Sequence, residues 1–325
     1  MTPIASYTNV HLDTNSAYPW DKLTETDYLL EFFKCLKDKL KEDFTTYSFY
    51  VFSAHTINDA VPASKDIPGD KKILFFFSDE HGSYTPELND HYLLIFKSSM
   101  KETSYYPKND TLYPFPIGYV TGVKQIDQKK YNERSVNVFY SGNLSNPRIP
   151  IYKNLLGLAF LPDWVFKSFF YFFKQQTVNF LGRDFSNYFP NSYIKFTTGY
   201  GKGLSKQAYS EMLGNAKIVL CPKGFINNET FRMYEGLRCG SIIITEKLPD
   251  HYFYKNAPVY EVANWKEGLQ LTKKLLALPP TELEDLREKM IKGWAENMSE
   301  AALSQFVHDR IQLKKNNANL AVDAL

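Results

Sequence analysis

Short apolar runs alternate with amphipathic stretches along the first part of the chain. Residues 26–40 carry apolar side chains at helical spacing, which predicts a helix, and the aromatic and β-branched residues 47–54 predict a strand. The apolar runs 72–78 and 91–96 predict two more buried strands. Buried strands that alternate with helices are typical of a mostly parallel sheet covered on both faces. We therefore predict an α/β fold for this part.

The same alternation begins again after a polar, charged stretch at residues 125–134, which is the best linker candidate. Strands are predicted at 136–140, 178–181, 217–221 and 241–245. Helices are predicted at 151–160, 205–214, 229–239, 265–278, 281–297 and 300–313. These elements predict two Rossmann-like domains in tandem, residues 1–130 and residues 131–300.

Composition agrees with this picture and argues against several classes of protein. A length of 325 residues, at about 150 residues per domain, favours two domains. The net charge of +2 and the 16% aromatic content argue against a disordered chain and against a general nucleic-acid binder. Three cysteines without C-x-x-C spacing argue against a disulfide framework and a zinc site.

Membrane and targeting signals are weak in this sequence. The N-terminal residues lack the basic and apolar regions of a signal peptide, which predicts a cytoplasmic protein. The aromatic stretch 160–173 is interrupted by Pro162, Asp163 and Lys167 and is shorter than the roughly 18 residues of a membrane span. We interpret it as a buried or interdomain helix, with a helix lying on a membrane surface as the alternative.

The most informative segment for chemistry lies between residues 217 and 250. A predicted strand ends at Cys221, a turn with Gly224 follows, and Asn228 is a good N-cap for a helix that starts near Glu229. The first turn of a helix presents unpaired backbone N–H groups and the positive end of the helix dipole. We therefore predict an anion site at this strand–loop–helix.

Three charged side chains accompany this predicted anion site. Lys223 and Arg232 lie on either side of the helix start and add charge-assisted hydrogen bonds to a phosphate. Glu235 follows Arg232 by three residues on the same helical face, where its carboxylate accepts hydrogen bonds from ribose or sugar hydroxyls. The alternative role of Glu235 is to orient Arg232. From residues alone, the segment predicts a phosphate-containing ligand.

The sequence of this segment, CPKGFINNETFRMYEGLRCGSIIIT, resembles the C-terminal signature of exostosin-type glycosyltransferases. That signature has a Cys-Pro-basic-Gly turn, a short loop and a Thr/Ser-Phe-Arg helix that leads to Glu and Gly before a strand. The resemblance covers roughly the last third of the chain. The matching residues are Cys221, Pro222, Lys223, Gly224, Thr230, Phe231, Arg232, Glu235, Gly240, Leu248 and Pro249.

The resemblance implies a GT-B fold, in which two Rossmann-like domains with parallel sheets face an interdomain cleft. The first domain would bind the acceptor and the second the nucleotide sugar, and the terminal residues 301–325 would form a helix that returns to the first domain. Lys223, Arg232 and the helix start at Thr230 would bind the diphosphate, and Glu235 the ribose or donor sugar. The resemblance implies no metal and no other cofactor.

Two further loops are candidates for the donor site. Gly142 and Asn143 follow the first strand of the second domain and permit a tight turn close to a ligand, and Arg148 is within reach of a phosphate. The alternative is an ordinary strand-to-helix turn. Arg183 lies in a loop that resembles the one flanking the nucleotide base in GT-B enzymes.

The catalytic base is expected in the first domain, because inverting transfer needs a group that takes the proton of the acceptor hydroxyl. Asp79, Glu80 and His81 follow the apolar run 72–78, at the end of a strand that faces the ligand crevice in open α/β sheets. We rank Glu80 and Asp79 above His81. The alternative is a solvated loop with a helix cap.

These features predict a glycosyltransferase that moves a hexosyl or pentosyl group from a nucleoside diphosphate sugar, most simply UDP-linked, to a hydroxyl of a glycan or glycolipid acceptor. The expected mechanism is a single inverting displacement. Rival interpretations are a fucosyltransferase-type enzyme with a GDP-linked donor, a retaining enzyme, and a catalytically silent nucleotide- or carbohydrate-binding protein. Nucleic acid is not an expected partner. Peripheral contact with a membrane is the alternative already given for the stretch 160–173.

Overall fold

The structure is a computed structural model in which the chain divides into two compact units. The first unit contains residues 1–121, 249–255 and 295–325, and the second contains residues 122–248 and 256–294. The structure describes residues 2–3, 7–13, 23–53, 68–79, 81–82, 86–101, 110–126, 129–167, 176, 182–197, 199, 201–224, 228–255 and 257–323.

The first unit is built on one sheet whose strands lie in chain order. The strands are β1 (Thr2–Pro3), β2 (Val10–Asp13), β3 (Ser48–Ser53), β4 (Lys72–Phe77), β5 (Leu94–Lys97) and β6 (Leu112–Pro114). β1 pairs antiparallel with β2, and every other neighbouring pair is parallel. Because parallel strands are joined by right-handed crossovers, a sheet in chain order is wound in one direction and has no point where the winding reverses.

Alternate residues of these strands build a separate core on each face of the sheet. On one face, Phe49, Phe75 and Phe96 pack in a cluster with helix α1 (Thr26–Leu40) and helix α7 (Glu300–Asp323). On the other face lies a smaller cluster that includes Phe52, Phe76 and Ile95. The two-residue period of a strand produces this division.

The second unit is a five-stranded parallel sheet. Its strands are β7 (Val136–Asn143), β8 (Tyr193–Thr197), β9 (Ala216–Cys221), β10 (Ile242–Glu246) and β11 (Val259–Val262). Its helices are α2 (Ile149–Leu155), α3 (Lys206–Asn215), α4 (Phe231–Arg238), α5 (Trp265–Leu276) and α6 (Pro280–Asn297), the last of which ends in the first unit. The strands lie in the order β11-β10-β9-β7-β8, so the winding reverses between β7 and β9.

The predicted α/β class with two Rossmann-like parallel sheets is confirmed by these topologies. Helix α1 occupies the predicted residues, and α2 ends at Leu155 where the sequence predicted a helix to residue 160. Strands β1, β2, β6, β8 and β11 were not predicted. The strand predicted at 178–181 lies outside the described residues.

The aromatic stretch 160–173 does not form a wholly buried helix. Phe166 is buried, but Phe160 and Trp164 are 77% and 68% exposed, which corrects part of the prediction. Residues 168–173 of the stretch lie outside the described residues. In the part of the chain that the structure describes, no helix combines the length and the apolar character that crossing a bilayer requires.

Candidate functional site

The carboxyl ends of β7 and β9 form the reversal point of the second sheet. The two strands pair directly, with Val138 opposite Ile218 and Phe139 opposite Val219. Ligands of open α/β sheets bind outside the carboxyl ends of the strands, at the point where the winding reverses. Gly142 and Asn143 are the last residues of β7 itself, where the sequence predicted a loop, and Lys223 follows β9, so the topology brings these three residues to one edge of the sheet.

Arg148 joins the two loops at this edge. Its Nε donates to the carbonyl oxygen of Lys223 at 3.3 Å, and its Nη1 donates to the carbonyl oxygen of Asn143 at 2.8 Å. The Asn143 side-chain oxygen accepts from the same Nη1. These bonds give Arg148 a role in shaping the site, and its predicted role as a phosphate ligand stays a prediction.

Arg232 lies in the first turn of α4 and is the central cation of the site. Its Nη2 donates to the carbonyl oxygen of Ser141 at 2.5 Å, and its guanidinium carbon lies 4.6 Å from the centre of the Tyr140 ring. The side chain is only 7% exposed, and no described residue provides a partner for Nε or Nη1. Buried polar groups are normally paired, so two unused donors here indicate a missing acceptor.

The charge of Arg232 is maintained despite its burial. Burial lowers the pKa of this guanidinium, but the neighbouring Tyr209, Tyr140, Cys221 and Glu235 raise it by more, so that the pKa lies above its ordinary value. No carboxylate of the described residues forms an ion pair with it within 4.0 Å. A charged guanidinium with two unused donors is suited to binding an anion.

The start of helix α4 differs from the prediction. The helix begins at Phe231 with Thr230 as its N-cap residue, two residues later than expected. The side-chain amide of Asn228 donates to the carbonyl oxygen of Lys247, so Asn228 does not cap the helix, which corrects that prediction. Because Thr230 does not accept a capping hydrogen bond on its side chain, the first N–H groups of α4 lack that partner.

Glu235 is buried one turn further along α4. Its side chain is 2% exposed, and its Oε2 accepts a hydrogen bond from the Tyr209 hydroxyl at 3.0 Å. Burial and the nearby carboxylate raise the pKa of Tyr209 well above its ordinary value, so this hydroxyl remains a donor. The prediction that Glu235 binds a ribose or sugar hydroxyl stays a prediction.

The turn after β9 is held by β10. The backbone N–H of Lys223 donates to Oε2 of Glu246, the last residue of β10, at 2.8 Å. Lys223 and Gly224 are both half-buried, which leaves them partly accessible at the edge of the sheet. This bond fixes the position of the turn relative to the reversal point.

Arg183 is not brought together with the other donor candidates. Its carbonyl oxygen accepts from the N–H of Phe196, on the outer side of β8. Phe196 is in turn paired with Gly142 of β7, so β8 lies between Arg183 and the reversal point. The exposed Arg183 side chain is thus at the edge of the sheet, and its predicted role in flanking a base stays a prediction.

The predicted catalytic residues of the first unit have different surroundings. Asp79 is fully buried, its Oδ2 lies 2.8 Å from Lys97 Nζ, and its Oδ1 accepts from the N–H of His81 at 3.1 Å. A buried carboxylate with both oxygens occupied is poorly placed to take a proton from an acceptor, which argues against Asp79 as the base. His81 is exposed, and Glu80 lies outside the described residues.

Three residues of the site were missed in the sequence. Tyr140 and Ser141 precede the predicted loop residue Gly142, and they supply the ring and the carbonyl oxygen that hold Arg232. Tyr209 lies on α3 and binds Glu235. The position of Tyr140 and Ser141 at the end of a strand was the one signal available for them.

A metal site was not predicted, and the described part of the chain contains no cluster of three or more His, Cys, Asp or Glu residues arranged to hold a metal ion. The three cysteines are free thiols. Burial raises the pKa of Cys221, at the end of β9, to about 12, so its thiol is protonated.

Comparison with known proteins gives matches at the level of solved structures. No protein-family model matches the chain, and no curated protein sequence matches it significantly. Trehalose-6-phosphate synthase OtsA is 10% identical to this chain with a TM-score of 0.49. The similarity covers 90% of this chain and 78% of the OtsA chain.

Two further solved structures are described as glycosyltransferases. WaaG, a glycosyltransferase involved in lipopolysaccharide biosynthesis, is 11% identical with a TM-score of 0.44, covering 93% of this chain and 99% of its own. A glycosyltransferase from Rickettsia africae is 10% identical with a TM-score of 0.47, covering 94% and 84%. Each likeness extends over about nine-tenths of this chain.

Proposed function

We propose that this chain is a GT-B glycosyltransferase that transfers a sugar from a nucleoside diphosphate sugar to an acceptor hydroxyl. The observation that carries the proposal is Arg232, a buried cation with two unused donors at the reversal point of the second sheet. A diphosphate is the part of such a donor that gains negative charge as the sugar departs. A fixed guanidinium beside it stabilises that charge in the transition state.

The other donor contacts in this proposal come from the same edge of the sheet. Lys223, Gly224 and the first N–H groups of α4 would complete the diphosphate site, and Glu235 would accept a hydrogen bond from the ribose or the sugar. Asn143 and Arg148 would shape the loop beside it, since they bond to each other. UDP is the first nucleotide to test, and GDP is the alternative donor nucleotide.

The acceptor side of the proposal is a glycan or glycolipid hydroxyl that attacks the sugar in a single inverting displacement. Glu80 or His81 would take the proton, because Asp79 is buried against Lys97. Substitution of Glu80 by Gln and of His81 by Asn tests this assignment. Loss of transfer in one variant with unchanged nucleotide binding would identify the base, and full activity in both would overturn the assignment.

A thermal-shift panel of UDP, GDP, ADP and CMP tests the donor site. A ligand present at about 100 times its Kd stabilises the native state by about 2.7 kcal/mol, which raises the melting temperature measurably. We expect a shift with one nucleoside diphosphate, and we expect Arg232→Met to abolish it. Arg238→Met, at the far end of the same helix, is the matched control. An unchanged shift in Arg232→Met would overturn the proposed site.

A further inference from the structure

Tyr140 is a buried tyrosine whose hydroxyl forms no hydrogen bond with a described residue. Its ring is fully buried within β7, and no described residue forms a hydrogen bond with its hydroxyl. An unsatisfied buried hydroxyl costs about 1–3 kcal/mol, so such groups usually have a partner. Phenylalanine would fill the same space without this cost. The hydroxyl therefore points to a partner that is not part of the chain.

The space beside Gly142 is where this hydroxyl and Arg232 meet. A Cβ atom at position 142 would lie 2.7 Å from Arg232 Nη2 and 3.0 Å from the Tyr140 hydroxyl oxygen. Both polar atoms therefore lie close to the backbone of Gly142, and a side chain at this position would collide with them. Contacts below 3.0 Å do not occur at real Cβ atoms, so glycine is required here for Arg232 to keep its position.

The unused donors of Arg232 and Tyr140 favour one kind of ligand. Arg232 contributes two unused donors, Nε and Nη1, and Tyr140 contributes a third in its hydroxyl. The ring of Tyr140 also holds the guanidinium from its face, at 4.6 Å. Because these groups donate and one is a cation, they match an anion with several acceptor oxygens, such as a phosphate.

We propose that Tyr140 is a ligand-binding residue whose hydroxyl donates a hydrogen bond to a phosphate oxygen held by Arg232, and that glycine at position 142 lets both side chains keep these positions. This inference rests on the proposed nucleoside diphosphate site and adds two roles to it. Tyr140 both contacts the phosphate and positions the guanidinium that binds it. Gly142 leaves Arg232 and Tyr140 the room that their positions require.

The variant Tyr140→Phe separates these two roles, since it removes the hydroxyl and keeps the ring beneath Arg232. We expect its affinity for UDP or GDP, whichever the protein binds, to fall roughly tenfold in isothermal titration calorimetry. The melting temperature of the free protein should rise or stay unchanged, because an unsatisfied hydroxyl is lost. If Tyr140 had a merely structural role, Tyr140→Phe would instead lower the melting temperature and leave nucleotide affinity unchanged.

Tyr152→Phe is the matched control for this experiment. Tyr152 is also a fully buried tyrosine of the second unit, but its hydroxyl donates to the carbonyl oxygen of Gly182 at 2.8 Å. We expect this variant to melt at a lower temperature and to bind the nucleotide as the wild type does. Gly142→Ala should weaken binding at least tenfold, because its methyl group displaces Arg232.

Inorganic pyrophosphate, used as a second probe, tests whether the contact is to phosphate. Equal fractional losses of pyrophosphate and nucleotide affinity in Tyr140→Phe support the inference, and a loss confined to the nucleotide overturns it. Unchanged affinity in Tyr140→Phe together with lost affinity in Arg232→Met would overturn this inference and leave the proposed function standing. Failure of the wild type to bind UDP, GDP or pyrophosphate would overturn both.

Discussion

Polar side chains at the carboxyl edge of the first sheet pair with each other, whereas some of those at the carboxyl edge of the second sheet lack partners. In the first unit, Asp79 and Lys97 neutralise each other at 2.8 Å, and the hydroxyls of Ser53 and Ser78 bond to each other at 2.8 Å. In the second unit, Nε and Nη1 of Arg232 have no partner among the described residues. Among the strands that the structure describes, the winding reverses in the second sheet and not in the first.

This difference indicates how strand order prepares a sheet for binding. Where the winding reverses, the loops after neighbouring strands turn to opposite faces and leave a crevice between them. Where strands follow in chain order, the loops lie on the same side and their polar groups bond with each other. The pairing at Asp79 therefore belongs to the fold, whereas the two unpaired donors of Arg232 are left for a ligand.

The largest expected effect comes from breaking the buried ion pair. Lys97→Met leaves the Asp79 carboxylate buried without its cation, and removal of one partner of such a pair costs about 3–5 kcal/mol. For a protein of this size we expect the melting temperature to fall by about 6 °C or more. The double variant Asp79→Leu/Lys97→Met should recover most of the loss, because no charge remains buried. Unchanged stability in Lys97→Met would contradict a structural role for the Asp79–Lys97 pair.

A smaller, pH-dependent effect is expected at Glu25 of the first unit. Burial raises the pKa of Glu25 to about 7, from an ordinary value of 4.5, so the folded protein favours the protonated acid. Its contribution to stability is present at low pH and is lost as the pH rises from about 4.5 to about 7. Glu25→Gln should therefore stabilise the protein by about 2–3 kcal/mol more at pH 8 than at pH 5.

Urea unfolding at pH 5 and pH 8 measures this difference. Glu31→Gln is the control, because Glu31 is an exposed residue of α1 that pairs with Lys34 on the surface. We expect no comparable pH-dependent gain in that variant. If the gain in Glu25→Gln is the same at both pH values, the carboxyl group is ionised equally in the folded and unfolded states.

The smallest effect on stability is expected at Arg232. Arg232→Met removes a buried cation and two unsatisfied donors but also one hydrogen bond, so the unfolding free energy should change by less than about 1.5 kcal/mol. Nucleotide affinity should be lost in the same variant. A loss of stability as large as that of Lys97→Met would show that Arg232 is a structural residue like Lys97.

Strong periodicity made much of the fold predictable. The residues of α1 were predicted without error, because its apolar positions follow helical spacing throughout. Strands β8 and β11 were missed because they lie at the edges of the sheet, where burial is partial and no continuous apolar run marks them. Edge strands carry a weaker signal than central ones for this reason.

The charged side chains of the site were predicted from the sequence, whereas its aromatic side chains were missed. Arg232 stood out as a cation beside a strand–loop–helix, whereas Tyr140 and Tyr209 were hidden among 23 tyrosines and 25 phenylalanines. Asp79 was chosen because it ends a strand, but the sequence does not show that Lys97 faces it from the next strand. Partners that come from distant parts of the chain decide whether a polar group is available.

The path of the chain between the units also affects how the protein is made. The strands of the first sheet are complete at Pro114, but Leu303, Val307 and Ile311 of α7 complete the core on one of its faces. A ribosome that adds about 5–20 residues per second needs on the order of ten to forty seconds to synthesise the intervening stretch. During that time one apolar face of the nascent sheet is covered by α1 but not by α7, so chaperone binding should concentrate there.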